Sequence, residues 1–454
     1  MEDVVALEST SCQIPEVADG SGAVPLTGKE IKRNMMSLVL LETTFWTGAA
    51  DIQLALNPLL VFLGATNFLI GIVNGAMFAG LIGVFVSPWI TRHFRYKKWY
   101  LFISNVPYLT ALAALGVLAI YNHKLGLYHA YSLSNGFTGW IGLDGKPMLL
   151  WWAVALYYTH WLFGGFVTLP CTEYIAACIP MSHRGRLTGY AYSAAGFFAI
   201  GAAFAGKWVI EHVHHPAAFG YVLLMGWVLM QFGYTCSLIA RERPTPVEKS
   251  PKPYTKEMFA AFWRDRPYVK LMVLYFLYNM LFQGSTFNFI NVYGLKRLHM
   301  ALATAAIMIV VSRVSQFLTS TPLGLINDKF SPKRTIPYLF ALSALAWLVP
   351  LAIPGHLGVY VAIAIYTMFT TAITSAQTAL VCGLPAPEHR AGHFTIQIFV
   401  WYIAMSVGPM IVGRLCDVVG YHAVFVAMLI ASVAFFPFAK LMLRTLPDDI
   451  KSYS

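Results

Sequence analysis

Charge is scarce in this sequence. Of 454 residues only 11% are Asp, Glu, Lys or Arg, about half the share of a soluble domain. Because 58% are hydrophobic, a water-soluble fold would have no means of covering its apolar surface. A bilayer removes that requirement by acting as the solvent. Cysteine is also scarce, with six residues (Cys12, Cys171, Cys178, Cys236, Cys382 and Cys416). They form no Cys-x-x-Cys pair and no His/Cys cluster. That points away from a disulfide scaffold or a metal site and toward buried free thiols. There is no Gly-rich phosphate loop ending in Gly-Lys-Ser/Thr, which argues against direct drive by ATP. His-Glu-x-x-His and a nucleophile elbow are missing too, so neither an enzyme nor a bound cofactor is expected. The first 27 residues lack an apolar core behind a basic start. No cleaved signal peptide is expected, and the first membrane helix would serve as the insertion signal.

What is present is a series of long apolar runs. A spanning helix needs roughly 20 mostly apolar residues. Twelve runs qualify, at about 35–62, 67–90, 99–121, 148–177, 187–210, 217–240, 269–292, 300–323, 335–353, 357–382, 394–415 and 422–443. Trp and Tyr gather near their ends, as membrane interfaces favour. The net charge of +11 sits in short segments between runs rather than in basic patches, so no nucleic-acid partner is expected. With the N-terminus in the cytoplasm and sides alternating, 24 Lys and Arg fall inside, 6 outside and Arg313 within a helix. That asymmetry places both termini in the cytoplasm of a multi-pass plasma (bacterial inner) membrane protein.

The expected organisation is a tail (1–33), a six-helix bundle (34–240), a linker (241–267), a second bundle (268–445) and a tail (446–454). The linker is rich in Pro, Lys and Glu, and its Tyr254 to Trp263 stretch is amphipathic. Loop 122–147 lies outside and is read as either an ordered cap or a solvated loop. The halves echo each other. Ser87-Pro-Trp-Ile-Thr-Arg-His-Phe-Arg-Tyr-Lys-Lys follows run 2, and Gly324-Leu-Ile-Asn-Asp-Lys-Phe-Ser-Pro-Lys-Arg follows run 8. Duplicated halves are a building principle of several transporter folds.

These loops carry a resemblance. Gly324-x-x-x-Asp328-Lys329-x-x-x-Lys333-Arg334 is similar to the repeated loop motif of the major facilitator superfamily. Arg184-Gly-Arg before run 5 and Gly420-Tyr-His-Ala-Val-Phe before run 12 also resemble that family. The first copy departs from the motif at Ser87 and Thr91, and the second has Ser331 at its later Gly. The resemblance implies an all-α fold of twelve transmembrane helices in two pseudo-symmetric six-helix bundles. Runs 1, 4, 7 and 10 would line a central cavity, and transport would proceed by rocking one bundle against the other. The gating loops would use Arg92 and Arg95 in the first half, and Asp328, Lys329, Lys333 and Arg334 in the second.

Polar groups deep in a membrane are expensive and turn inward. Asp51 and Glu42 lie nine residues apart on run 1, about 900° of helical rotation, so they face opposite sides. Asp51 is taken as the central coupling residue and Glu42 as a structural or gating group. Arg313 needs an anion, either a carboxylate or the substrate. His160 is a candidate proton relay or a packed hydrogen-bonding group. Glu173 is expected to pair with a loop base. Thr367, Thr370, Thr371, Thr374 and Gln377 form a polar stripe on run 10, and Asn279 and Gln283 a shorter one on run 7. Both stripes are read as cavity lining, with interhelical hydrogen bonding as the alternative. Gln397 and Trp401 share a face of run 11. Ala195, Ala199 and Ala203 on run 5 are packing residues. The expected function is secondary active transport of a small solute, an organic anion or a sugar-like compound. Coupling to protons and a monomeric state are expected. A non-transporting assembly factor or sensor on the same scaffold is the alternative.

Overall fold

The computed structural model describes residues 26–133, 136–244, 256–384 and 390–446. The chain runs up and down as long rods, here helix 1 to helix 12. Helix 1 is Gly28–Phe62, helix 2 Asn67–Thr91 and helix 3 Lys97–Ile120. Helix 4 is Met148–Cys178, helix 5 Met181–His212 and helix 6 Ala217–Ser237. Helix 7 runs from Arg266 to Lys296 with an interruption, and helix 8 is Thr304–Phe330. Helices 9 to 12 are Pro332–Ala352, His356–Gly383, Arg390–Val418 and Gly420–Leu443. The fold is all-α in the sense expected.

Among the described residues, eight rods are long and apolar enough to cross a membrane: helices 2, 3, 5, 6, 9, 10, 11 and 12. The others are helices 1, 4, 7 and 8. These carry Glu42, Asp51, His160, Asn279, Gln283 and Arg313; helix 7 is divided into shorter pieces, and the described apolar part of helix 8, Thr304–Thr319, is short.

Helix 1 begins at Gly28, seven residues before the apolar run. The Thr27 hydroxyl accepts the Glu30 N–H at 3.3 Å, and the Glu30 carboxylate accepts the Thr27 N–H at 2.9 Å. This reciprocal cap satisfies two orphan donors and extends the rod. Helix 8 ends at Ser331, whose φ of 67° is left-handed. The family motif resembled here has Gly at this position, which would be unstrained. A serine there costs about 1–2 kcal/mol.

The apolar core divides into two large clusters. One is built chiefly from helices 1 to 6, the other from helices 7 to 12. Small residues set the spacing inside the first bundle. A Cβ added at Gly165 would stand 1.9 Å from the Gly80 carbonyl oxygen, and one at Gly48 would stand 2.5 Å from that of Gly226. Ala195, Ala199 and Ala203 are buried as expected, while Gly196 and Gly201 face open space. Cys171 is half-buried, and Cys178, Cys236 and Cys416 are buried free thiols; Cys12 lies outside the described residues.

Helix 7 breaks at its middle. Arg266–Tyr278 is α-helical, Asn279–Gln283 is a π turn, and Thr286–Lys296 is α-helical again. Helix 11 sits directly on the break, because a Cβ at Gly408 would fall 1.8 Å from the Met280 carbonyl oxygen. Such π turns leave backbone groups outside the regular ladder and often mark functional positions.

Candidate functional site

The rods bring four sequence-distant groups together near mid-length. The Trp46 indole N–H donates to the Glu42 carboxylate at 2.9 Å. Trp46 meets the Tyr192 ring of helix 5 at 5.8 Å between centroids. Tyr192, 46% exposed, lies within electrostatic reach of both Glu42 and Arg313 of helix 8. Arg313 donates to Gln316 at 3.0 Å, and its Nε–H has no hydrogen-bond partner among the described residues. Glu42, Trp46, Arg313 and Gln316 are each only partly exposed. The row therefore spans the seam between the bundles, with a carboxylate at one end and an under-satisfied guanidinium at the other.

Glu42 and Asp51 face opposite sides of helix 1. Asp51 is fully buried against Gly226 of helix 6, inside the first bundle, and both its carboxylate oxygens lack hydrogen-bond partners among the described residues. Glu42 holds the seam. His160 is likewise withdrawn from it. Its ring stacks on Tyr108 at 4.2 Å, and its Nδ1 lies 2.8 Å from the Tyr108 carbonyl oxygen, which binds it to helix 3.

The helix 10 stripe is partly engaged in hydrogen bonds, one of them to helix 8 and one within helix 10 itself. Thr367 donates to Ser312 at 3.0 Å, and Thr371 donates to the Thr367 carbonyl at 2.8 Å. Thr370 lies beside the Tyr278 and Tyr366 hydroxyls. Gln377 is buried with both amide atoms unpartnered among the described residues, and Thr374 alone among the five is exposed. On helix 7, Asn279 is fully buried and donates to the Tyr275 carbonyl at 2.7 Å. The Gln283 carbonyl accepts from Tyr366 at 3.0 Å. These bonds hold the π turn. Gln397 donates to the Tyr275 hydroxyl at 2.8 Å, while Trp401 packs edge-on against Tyr402.

A second group of residues seals the end remote from the basic loops. The Asp417 carboxylate of helix 11 accepts the backbone N–H groups of Asn67 and Phe68 at 3.1 and 2.7 Å. It thus caps helix 2 across the bundle seam, where the helix dipole favours an anion. Tyr421 donates to Asn67 at 2.6 Å, Lys296 donates to the Ala65 carbonyl at 2.5 Å, and Asn57 donates to Asn288 at 3.1 Å. Loop 122–147 adds a lid. A two-residue ladder (Ala130 with Pro147, Tyr131 with Lys146) supports the short helix Gly136–Ile141, whose Trp140 stacks edge-on against Phe68 at 5.2 Å. Helix 7 packs on helix 1 along Thr286–Lys296; its Arg266–Tyr278 half makes no comparable packing there. The sequence reading missed Asp417 because its partners are backbone groups 350 residues away.

Charge removal there predicts a shift in the seal. Asp417→Asn replaces charge-assisted bonds, worth about 1.5–3 kcal/mol, with weaker ones. Thiol labelling of an Asn288→Cys probe from the sealed side is expected to rise roughly tenfold. Unchanged labelling would show that the cap does not hold the seal.

At the basic end, Arg92 lies over the Trp89 ring and Arg95 over Tyr96. Lys97 is buried, donates to the Thr91 carbonyl at 2.7 Å and lies 3.6 Å from Glu173, which is the loop base expected for that acid. Glu242 accepts the Lys98 N–H at 3.0 Å as well as that of Lys97, capping helix 3. Burial pushes its carboxyl up, against the pull of these N–H bonds and of Lys97 and Lys98. In the second copy, Lys333 bonds the Leu446 carbonyl and Arg334 is exposed. The side chains of Asp328 and Lys329 lie outside the described residues.

Two helical units joined along a seam, with eight helices among the described residues long and apolar enough to cross a bilayer, define a multi-pass membrane protein. Residues 297–452 match the family model described as Major Facilitator Superfamily. The whole chain is similar in fold to a D-xylose-proton symporter, at 14% identity and TM-score 0.66, covering 92% of this chain and 99% of that one. It is similar to a bacterial homolog of the human lysosomal transporter Spinster in an inward-facing, unoccupied conformation, at 15% identity and TM-score 0.61, covering 92% and 97%. It is also similar to the nucleoside transporter NupG, at 14% identity and TM-score 0.60, covering 91% and 100%. At these identities the likeness is one of fold. No curated protein sequence matches the chain. The chain carries the major facilitator fold, and the resemblance read from its loop motifs is borne out.

Proposed function

We propose that this chain is a secondary active transporter that moves a small polar or anionic solute by alternating access, coupled to protons. In this reading all twelve rods cross the bilayer with the basic end in the cytoplasm. The observation that carries it is the row Glu42–Trp46–Tyr192–Arg313 across the bundle seam. The Arg313 Nε–H, unpartnered among the described residues, is a free donor for a carboxylate or hydroxyl oxygen of the solute. Glu42 is the titrating group, linked to the same row through Trp46. The far-end seal of Asp417, Asn67 and Lys296 makes the present state the one loaded from the cytoplasmic side. That a sugar-proton symporter and a nucleoside transporter share the fold supports small solutes and proton coupling as the class to screen.

The test is solute flux in proteoliposomes under an imposed pH gradient. Candidate organic anions and sugar-like compounds are first ranked by the rise they cause in melting temperature. Gradient-driven accumulation of a stabilising solute is expected. Binding without any flux would favour a sensor on this scaffold. Asp51, placed inside the first bundle, is not required: Asp51→Asn is expected to keep gradient-driven accumulation. Its loss in a folded Asp51→Asn protein would return the coupling role to Asp51.

A further inference from the structure

The short linker helix, Lys256–Arg264, is not used by the mechanism above. It lies against the basic-end halves of helices 7 and 11. Between them is a cavity of about 370 Å³. Phe259, Phe262 and Trp263 of the linker helix, Val273 and Phe276 of helix 7, and Val400 of helix 11 form its wall, which is apolar almost throughout. Phe262 is buried and anchors the linker helix, meeting Tyr268 and His393 edge-on at ring distances of 6.0 Å. Phe259, Trp263 and Val273 are 44%, 68% and 41% exposed. The mouth of the cavity is therefore open and greasy.

The linker helix and the start of helix 7 also carry exposed charged residues, mainly basic. Lys256, Arg264 and Arg266 are exposed, beside one exposed acid, Glu257. Asp265 is a second acid here; it accepts the Tyr268 N–H at 3.1 Å and lies 3.4 Å from the His393 ring, leaving three basic groups to two acids. A helix with Phe and Trp on one face and basic residues at its ends lies in the plane of a bilayer surface. Basic residues at that depth draw anionic headgroups. An apolar slot beneath basic groups fits one ligand chemistry, a hydrocarbon chain carrying an anionic head.

We propose that this cavity binds an acyl chain of an anionic phospholipid from the leaflet at the basic end, with the headgroup held by Lys256, Arg264 and Arg266. The lipid would brace the Arg266–Tyr278 half of helix 7, which ends at the π turn. Lipid composition would then bear on how readily helix 7 bends.

The test uses the full chain in vesicles of phosphatidylcholine mixed with phosphatidylglycerol whose acyl chain carries a photoactivatable diazirine. Crosslinks are mapped by mass spectrometry. Labelling is expected to concentrate on residues 259–277 and 396–400, and Val273→Trp, which fills the slot, is expected to remove most of it. Val273→Phe is a smaller filler should the tryptophan variant fail to fold. Lys256→Gln and Arg264→Gln should each reduce the preference for phosphatidylglycerol over phosphatidylcholine by about fivefold. Labels spread evenly around all lipid-facing helices would overturn the proposal. So would labelling indifferent to the fillers, or crosslinks that join two copies of the chain through residues 259–263.

Discussion

Glu42→Gln is expected to reduce gradient-driven accumulation to the level of empty vesicles, while solute exchange at zero gradient continues. The amide oxygen of Gln can still accept the Trp46 indole N–H that Glu42 accepts at 2.9 Å, so the shape of the row is kept. What is lost is a group able to take and release a proton. A carboxylate among partly buried aromatics is costly to leave charged and unpaired. It is therefore a natural place for a proton to enter before the bundles move. Exchange needs no net proton movement and should survive. If Glu42→Gln accumulates solute under a pH gradient as the unaltered protein does, Glu42 has no part in coupling.

The second large effect concerns Arg313. Its Nη1 is satisfied by Gln316 at 3.0 Å, but its Nε–H is unpartnered. Arg313→Gln removes charge-assisted bonds to a solute, each worth about 1.5–3 kcal/mol, so half-saturation should rise roughly 10- to 100-fold. Arg313→Lys keeps the charge and loses the planar fork, and its affinity should fall between the two. Stability offers a control. An arginine serving only to hold the fold would lower the melting temperature when removed. One that waits for a ligand leaves it unchanged or raises it, because an unsatisfied buried donor is gone. A large fall in melting temperature with unchanged half-saturation would assign Arg313 to structure alone.

Much of the architecture was legible because bilayer physics writes itself into composition. Apolar runs of spanning length and the Lys/Arg asymmetry need no tertiary knowledge. The loop motif at Gly324 to Arg334 carried the fold family. The site was less legible for a definite reason. Spacing showed that Glu42 and Asp51 point opposite ways, but not which way was inward, since that depends on how helix 1 rotates against helices 5 and 6. Gly48 and Gly226 settle it by letting those rods meet backbone to backbone, which turns Asp51 inward to helix 6 and Glu42 to the seam. Trp46 could have been found, standing one turn beyond Glu42 on the same face. Spacing left two readings of Thr367 open, because a polar stripe looks alike whether it meets water or a neighbouring helix; in the structure Thr367 donates to Ser312 of helix 8. Asp417 gave no signal, because backbone N–H groups have no sequence.

The account rests on the row at Tyr192 being reachable from one membrane side at a time. The most direct measurement is thiol labelling of Tyr192→Cys, with the native cysteines replaced, by an impermeant reagent applied to either face of oriented vesicles. Labelling from the cytoplasmic face alone is predicted at rest, with labelling from the opposite face appearing once Asp417→Asn opens the seal. A probe that stays closed to both faces in every state, or open to the same face in both proteins, would contradict it.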